Sequence, residues 1–280
     1  MSVRIVLDSS ADFPQELKSR FSVVALPLFF GDEEYLDGVT ITYKEFYEKL
    51  VETDIMPTTS QPTPGAFADA YREALEEYDE VVVITLSSQL SGTYQSACIA
   101  ADDFPGKVFV VDSLSATIGT GALAQLALSL ADQGLPAAVI ASRLSEERNN
   151  LQLIAMVGTL EYLKRGGRLS KTAAIAGELL SIKPVIGVVE GKVAILGKAR
   201  GSKQAGNMLV KLIRDCGGVD FEKPVILGYT GLSDALLQKY IADSKPLWEE
   251  SPTPLAVTPV GSIIGTHAGP GAIAAAFFKK

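Results

Sequence analysis

The 280-residue chain contains one histidine, two cysteines and one tryptophan. A single imidazole and two distant thiols cannot supply the four Cys/His ligands of a structural zinc site. Cys98 and Cys216 provide no disulfide framework either, and both read as small buried hydrophobes of helical stretches. Basic runs are missing. With 25 Lys and Arg against 33 Asp and Glu the formal net charge is −8, so binding along a nucleic-acid backbone is not expected. No stretch reaches the roughly 18 apolar residues of a membrane span. The opening MSVRIVLDSS lacks the character of a signal peptide, because Arg4 and Asp8 leave too short an apolar segment between them. A cytoplasmic protein is expected.

What is present is globular. Hydrophobic residues make up 47% of the chain and charged residues 21%, and the length suffices for one large α/β domain or two modest ones. Strand and helix patterns alternate. VRIVLD (3–8), VVALPLFF (23–30), EVVVITL (80–86) and KVFVVD (107–112) read as strands, the last two of the β-branched parallel type. A helix is expected within SSADFPQELKSRF, a hairpin from GDEEYLDG into VTIT, and helices near 43–53, 65–78, 91–103, 117–133 and 136–150. The second half predicts strands at 151–158, 184–189, 192–199, 224–229, 255–260 and 271–278, with helices over TAAIAGELLSI, 201–215 and 232–245. The reading is two α/β domains, the N-terminal one with a mainly parallel sheet, divided into 1–150 and 151–280.

Ligands of open parallel sheets bind beyond the carboxyl ends of the strands. The segments found there are DSSADFP, SSQLSGTYQSA, DSLSATIGTG and GSIIGTHAGPG. They are rich in Ser, Thr and Gly and poor in Lys and Arg, which suits a site built from hydroxyl and amide donors. Ser91 is an N-cap candidate whose helix end favours a negative group, or it is a plain cap. Thr58-Thr59-Ser60-Gln61 precedes Pro62 and Pro64 in a stiff, extended segment, or forms an ordinary turn. GTG at 119–121 echoes a dinucleotide fingerprint but starts too far from its strand and has no acidic partner. His267 stands among glycines, on an expected loop, where the backbone can come close to a ligand. The KRGGR segment (164–168) either ends a helix with a solvated Arg168 or turns that arginine into the site.

Six motifs in order, DSSADFP (8–14), TTSQPTPGAF (58–67), LSSQLSGTYQSA (86–97), LEYLKRGGRLS (160–170), KPVIGVVEGKV (183–193) and GTHAGPGAI (265–273), resemble the DegV family of bacterial fatty-acid-binding proteins. Phe13 stands where leucine is usual, and KARGSKQA (198–205) varies a more basic family segment. The resemblance implies a long-chain fatty acid in a tunnel between the two domains. It implies that the carboxyl group is held by Thr59, Ser91 and His267, with Arg168 in the same site. It also implies a separate fatty-acid kinase partner that makes an acyl phosphate, with Arg200 at a docking position. No cofactor or metal is implied, and no catalysis by the chain itself. Transient membrane contact is compatible with a lipid ligand. The apolar stretches 121–130, 173–182 and 272–278 are expected to line the tunnel or to be ordinary core. A lipid carrier or sensor with no kinase partner is the alternative. A serine hydrolase using Ser91 and His267 is a weaker rival, because QLSGT supplies no G-x-S-x-G elbow.

Overall fold

The computed structural model describes residues 2–169 and 182–280. Its N-terminal strands are β1 (Val3–Asp8), β2 (Phe21–Val24), β3 (Pro27–Phe30), β4 (Glu33–Leu36), β5 (Thr58–Thr59), β6 (Glu80–Thr85) and β7 (Val108–Asp112). Between and after them lie helices α1 (Tyr43–Glu52), α2 (Pro64–Glu77), α3 (Thr93–Ala101), α4 (Thr117–Asp132) and α5 (Ala137–Glu147). The later strands are β8 (Leu151–Met156), β9 (Ile182–Val189), β10 (Lys192–Arg200), β11 (Ile226–Tyr229), β12 (Ala256–Pro259) and β13 (Ile273–Phe278). The later helices are α6 (Glu161–Arg165), α7 (Gly201–Asp215), α8 (Ala235–Asp243), α9 (Lys245–Trp248) and α10 (Ser262–Ala268).

Two main sheets result. The first is a parallel four-stranded sheet in the order β2-β1-β6-β7. β6 is buried at every position, as expected for a β-branched central strand with both faces covered. The second is a mixed six-stranded sheet in the order β10-β9-β8-β13-β11-β12, antiparallel except for β11 and β12. A small third sheet, β4-β3-β5, carries Thr59.

Helix α4 joins the two main sheets. Its sequence TIGTGALAQLALSLAD has no charge before its last residue, and its side chains are buried on nearly all faces. A helix apolar all round belongs inside a protein. Ile118, Ala122 and Leu123 share one core with Ile5 and Ile84 of the first sheet and with Ala276 and Phe278 of the second. The stretch 121–130, offered as tunnel lining, is core instead, whereas Ala272, Ile273 and Ala274 do face the cavity described below. The third such stretch, 173–182, and the helix expected over TAAIAGELLSI lie outside the described residues apart from Ile182.

The GTG segment has a packing reason. A Cβ on Gly121 would stand 1.9 Å from the backbone oxygen of Asp12, so only glycine lets the β1 loop lie against α4. Alanine in a helix interior normally stabilises by about 1 kcal/mol over glycine. Here Gly121→Ala should destabilise by about 1–3 kcal/mol through overpacking, so the sign decides. Thermal unfolding that shows an unchanged or raised Tm would contradict this packing.

Several expected elements differ. The run 23–30 is two strands, because the chain leaves the parallel sheet after Val24 and Pro27 opens a new one. The hairpin joins β3 to β4 through Gly31, whose φ is +61°, and VTIT contributes only a bridge between Asp37 and Ile41. Residues 15–20 form a 3-10 helix after Pro14. The 261–270 segment is not a loop: Ser262–Ala268 is helical, ended by Gly269 at φ +69°. β13 accordingly starts at Ile273 rather than at 271.

Candidate functional site

A cavity lies between the two main sheets. Leu86, Leu90 and Ala116 contribute to its wall from the first half, and Leu153, Ile186 and Val193 from the second. Most of the wall is aliphatic. Thr59, Ser91, Arg168 and His267 face the same space. The four candidate head-group residues, spread over more than 200 positions of sequence, thus share one cavity.

Each is positioned by a different device. Thr59 is paired with Leu28 in the small sheet. The following Gln61 packs over Gly92, where a Cβ would fall 1.8 Å from its Oε1, and Gln61 Nε2 donates to Ser96 Oγ at 3.0 Å. This fastens the Thr59 segment to α3. Ser91 stands one position before the N-cap of α3, which is Gly92. Its Oγ accepts from Thr93 N at 3.3 Å and lies 2.9 Å from Thr93 Oγ1. Arg168 follows Gly167, whose φ of +71° turns the chain back. Its Nε donates to Leu90 O at 3.2 Å and its Nη1 to Gly166 O at 2.6 Å. The arginine therefore turns inward rather than into solvent, and the polar corner is not wholly neutral.

His267 sits in the last turn of α10. Its Nε2 lies 3.0 Å from Thr59 Oγ1. Its Nδ1 has no hydrogen-bond partner among the described residues and packs against Gly166, where a Cβ would come within 2.2 Å of it. Burial, reinforced by the charge of Arg168, pushes the imidazole down to about 4. The ring is neutral at pH 7. Ser91 and His267 each hydrogen-bond to a threonine and not to each other. The serine–imidazole–carboxylate chain of a hydrolase is not formed among the described residues.

Arg200 is elsewhere. It is exposed, ends β10, caps α7, and its N–H donates to Gln204 Oε1 at 3.2 Å. It does not line the cavity.

Two polar groups escaped the sequence reading. Thr117 lines the cavity with φ at +48°, a rare conformation for a β-branched residue. Its hydroxyl donates to the buried Asp12 Oδ2 at 2.5 Å. Asp12 was visible only as part of DSSADFP, and no local pattern announced its partners.

A family model described as an uncharacterised protein, DegV family, matches residues 2–280. The chain belongs to the DegV family. A DegV domain-containing protein of Clostridium acetobutylicum is 35% identical over 283 residues, covering 99% of each chain. Among solved structures, a DegV family protein from Thermus thermophilus, described by its fatty acid binding, superposes with a TM-score of 0.88 at 35% identity and covers 100% of both chains. Protein TM841 of Thermotoga maritima, whose structure is described as revealing a fatty acid binding function, has a TM-score of 0.86 at 27% identity, again over 100% of both chains. DegV relatives thus bind fatty acids on the same two-sheet α/β architecture. No described helix here is long and apolar enough to cross a membrane, and no described cluster of His, Cys, Asp or Glu could hold a metal.

Proposed function

We propose that this chain binds one long-chain fatty acid in the cavity, holds its carboxylate at Thr59, Ser91 and His267 beside Arg168, and presents it to a separate fatty-acid kinase. In this reading 1–150 and 151–280 are two domains that close on the acid from either side. The observation that carries it is the cavity itself, an aliphatic wall that ends in the Thr59–His267 pair.

The chemistry is consistent. Burying a methylene is worth about 0.8 kcal/mol, so a sixteen-carbon chain offers roughly 10 kcal/mol gross. Association entropy and chain ordering remove much of this and still leave micromolar or tighter binding. A buried carboxylate needs donors or it takes up a proton. With the imidazole proton on Nε2, His267 donates to Thr59 Oγ1, and the threonine proton turns to the acid. That tautomer makes Nδ1 an acceptor, the less costly group to leave against the Gly166 backbone. Ser91 accepts from Thr93 N–H and keeps its own proton to donate. The positive charge of Arg168 favours the ionised acid.

The chain carries the acid, and the kinase performs phosphoryl transfer to give an acyl phosphate. Support for that step, and for Arg200 as a docking residue, comes from the resemblance of the six motifs. Exposure of Arg200 away from the cavity is compatible with it. Mass spectrometry of lipid extracted from the purified protein should find about one long-chain fatty acid per chain. A protein free of lipid that also fails to take up hexadecanoic acid contradicts the binding. Acyl-phosphate formation by a fatty-acid kinase should require the loaded protein. Equal turnover without it leaves the carrier or sensor reading.

A further inference from the structure

The DSSADFP loop lines no part of the cavity, yet it carries three buried polar residues, Asp8, Ser10 and Asp12. Asp8 has a local structural use: it accepts from Ser10 N at 2.9 Å, from Ser10 Oγ and from Leu86 N at 2.7 Å, which ties β1 to the end of β6. Asp12 has a different set of partners. Its Oδ2 accepts from Thr117 Oγ1 at 2.5 Å, its Oδ1 accepts from Gly261 N at 2.8 Å, and its own N–H donates to Thr117 O at 3.2 Å. One residue thereby fastens the first residue of α4 and the N-cap of α10 to the end of β1.

Both fastened points belong to the site. Thr117 is part of the cavity wall. Gly261 starts the short helix that ends with His267 and Ala268, so the placement of its first turn fixes where the imidazole meets Thr59. The clamp also stabilises an unfavourable backbone: Thr117 keeps φ at +48° while its carbonyl and its hydroxyl are both held by Asp12. Such conformations persist where the surroundings over-determine them. Space around the clamp is minimal. A Cβ on Gly261 would lie 3.0 Å from Asp12 Oδ1, and one on Gly121 would meet the Asp12 backbone.

We infer that Asp12 is a positioning residue for the acid head group, acting through Gly261 on His267 and through Thr117 on the cavity wall. This rests on the fatty-acid reading above, and the test separates the two. Delipidated wild type, Asp12→Ala and Asp12→Asn are titrated with hexadecanoic acid and with hexadecan-1-ol, which share a tail and differ in the head group. Wild type should prefer the acid. If it does not, the head-group reading fails and the test of Asp12 rests on the His267 signal alone. Asp12→Ala should cut the acid-to-alcohol affinity ratio about tenfold, the loss expected when one charge-assisted hydrogen bond is misplaced. Asp12→Asn keeps an acceptor for Gly261 N–H and can donate to Thr117 Oγ1, so it should restore the ratio to within about threefold of wild type.

The single histidine gives an independent readout, because the protein has one set of imidazole nitrogen resonances. Those resonances should shift in ligand-free Asp12→Ala and return in Asp12→Asn. An alanine variant that loses acid and alcohol binding equally, or that leaves the His267 signal in place, overturns the inference. If Asp12→Ala does not fold, Asp12→Asn decides: a folded asparagine variant that has lost the acid preference or the wild-type His267 signal refutes a hydrogen-bonded clamp.

Discussion

Replacing His267 by alanine should weaken hexadecanoic acid binding by about 10- to 150-fold, the range for loss of one hydrogen bond to a charged group, while Tm changes little. The size follows from where the imidazole sits. It is half-buried and neutral at pH 7, so it contributes a directed N–H rather than a charge. Its one partner among the described residues is Thr59 Oγ1, and through that hydroxyl it sets which way the threonine proton points. Without the ring, Thr59 keeps its place in the small sheet but loses its orientation. Ser91 and Arg168 still face the cavity, which is why the loss is partial. Stability is little affected because, among the described residues, the ring has one satisfied nitrogen and an Nδ1 without a partner. Titration with acid and alcohol separates the contributions: the alcohol should fall by much less than the acid. Equal losses would mean that His267 shapes the tail channel and does not serve the carboxylate.

Local pattern carried much of the fold. The helix at 201–215 is found with the bounds its charge and apolar spacing predict, and the β9–β10 hairpin turns through Glu190 and Gly191, both at positive φ. The β-branched runs became the parallel sheet. What local pattern missed has physical reasons. GSIIGTHAGPG reads as a loop because glycine stands at 261, 265 and 269. Yet Gly265 is there for close packing: a Cβ would come 2.4 Å from Tyr47 Oη. Tertiary contact overrides weak propensity at that point. The break between β2 and β3 was hidden because 23–30 is apolar throughout and the two strands bury into different sheets.

The candidate site was less legible, since its pairings are non-local. Thr59 and His267 are 208 residues apart, and Asp12 reaches 105 and 249 residues along the chain to its two partners. No periodicity or spacing encodes such contacts. The four cavity residues were candidates from local pattern, each beside a plainer reading, and only the family resemblance grouped them in one site. Asp12, which that resemblance left without a role, emerged only from the three-dimensional structure. The loops beyond the strand ends were read as poor in cationic groups, and Arg168, from a different segment, faces the same cavity.

Stability should fall as pH rises from 5 to 8, opposite to the trend set by exposed ion pairs. Burial holds the Asp12 carboxyl up at about 7 against an ordinary value of 3.8, despite hydrogen bonds from Thr117 and Gly261 that act the other way. The folded state therefore keeps a proton that the unfolded chain has released, and this stabilisation is complete below about pH 4 and gone once pH passes 7. Its size is about 4 kcal/mol. Asp37, raised by burial to about 6, adds the same sign over a narrower window. His267 works in reverse: its folded value near 4 makes the protein gain stability as pH rises to about 6.5. The Asp37 and His267 effects are each about 3 kcal/mol and largely cancel, which leaves Asp12 to set the slope. Asp8, also raised by burial, faces the same group and reinforces the direction, while the buried hydroxyl of Tyr47 beside it stays protonated throughout this range. The lowered carboxyls of Glu33, Glu45 and Asp79 titrate below the window. About 3 kcal/mol of the Asp12 effect falls between pH 5 and pH 8, so at about 2–4 °C per kcal/mol Tm should drop by roughly 5–10 °C over that interval. Asp12→Asn carries no titrating proton and should flatten most of that slope. A wild-type Tm that holds level or climbs over this interval would mean that Asp12 is ionised in the folded protein, with its two donors outweighing burial.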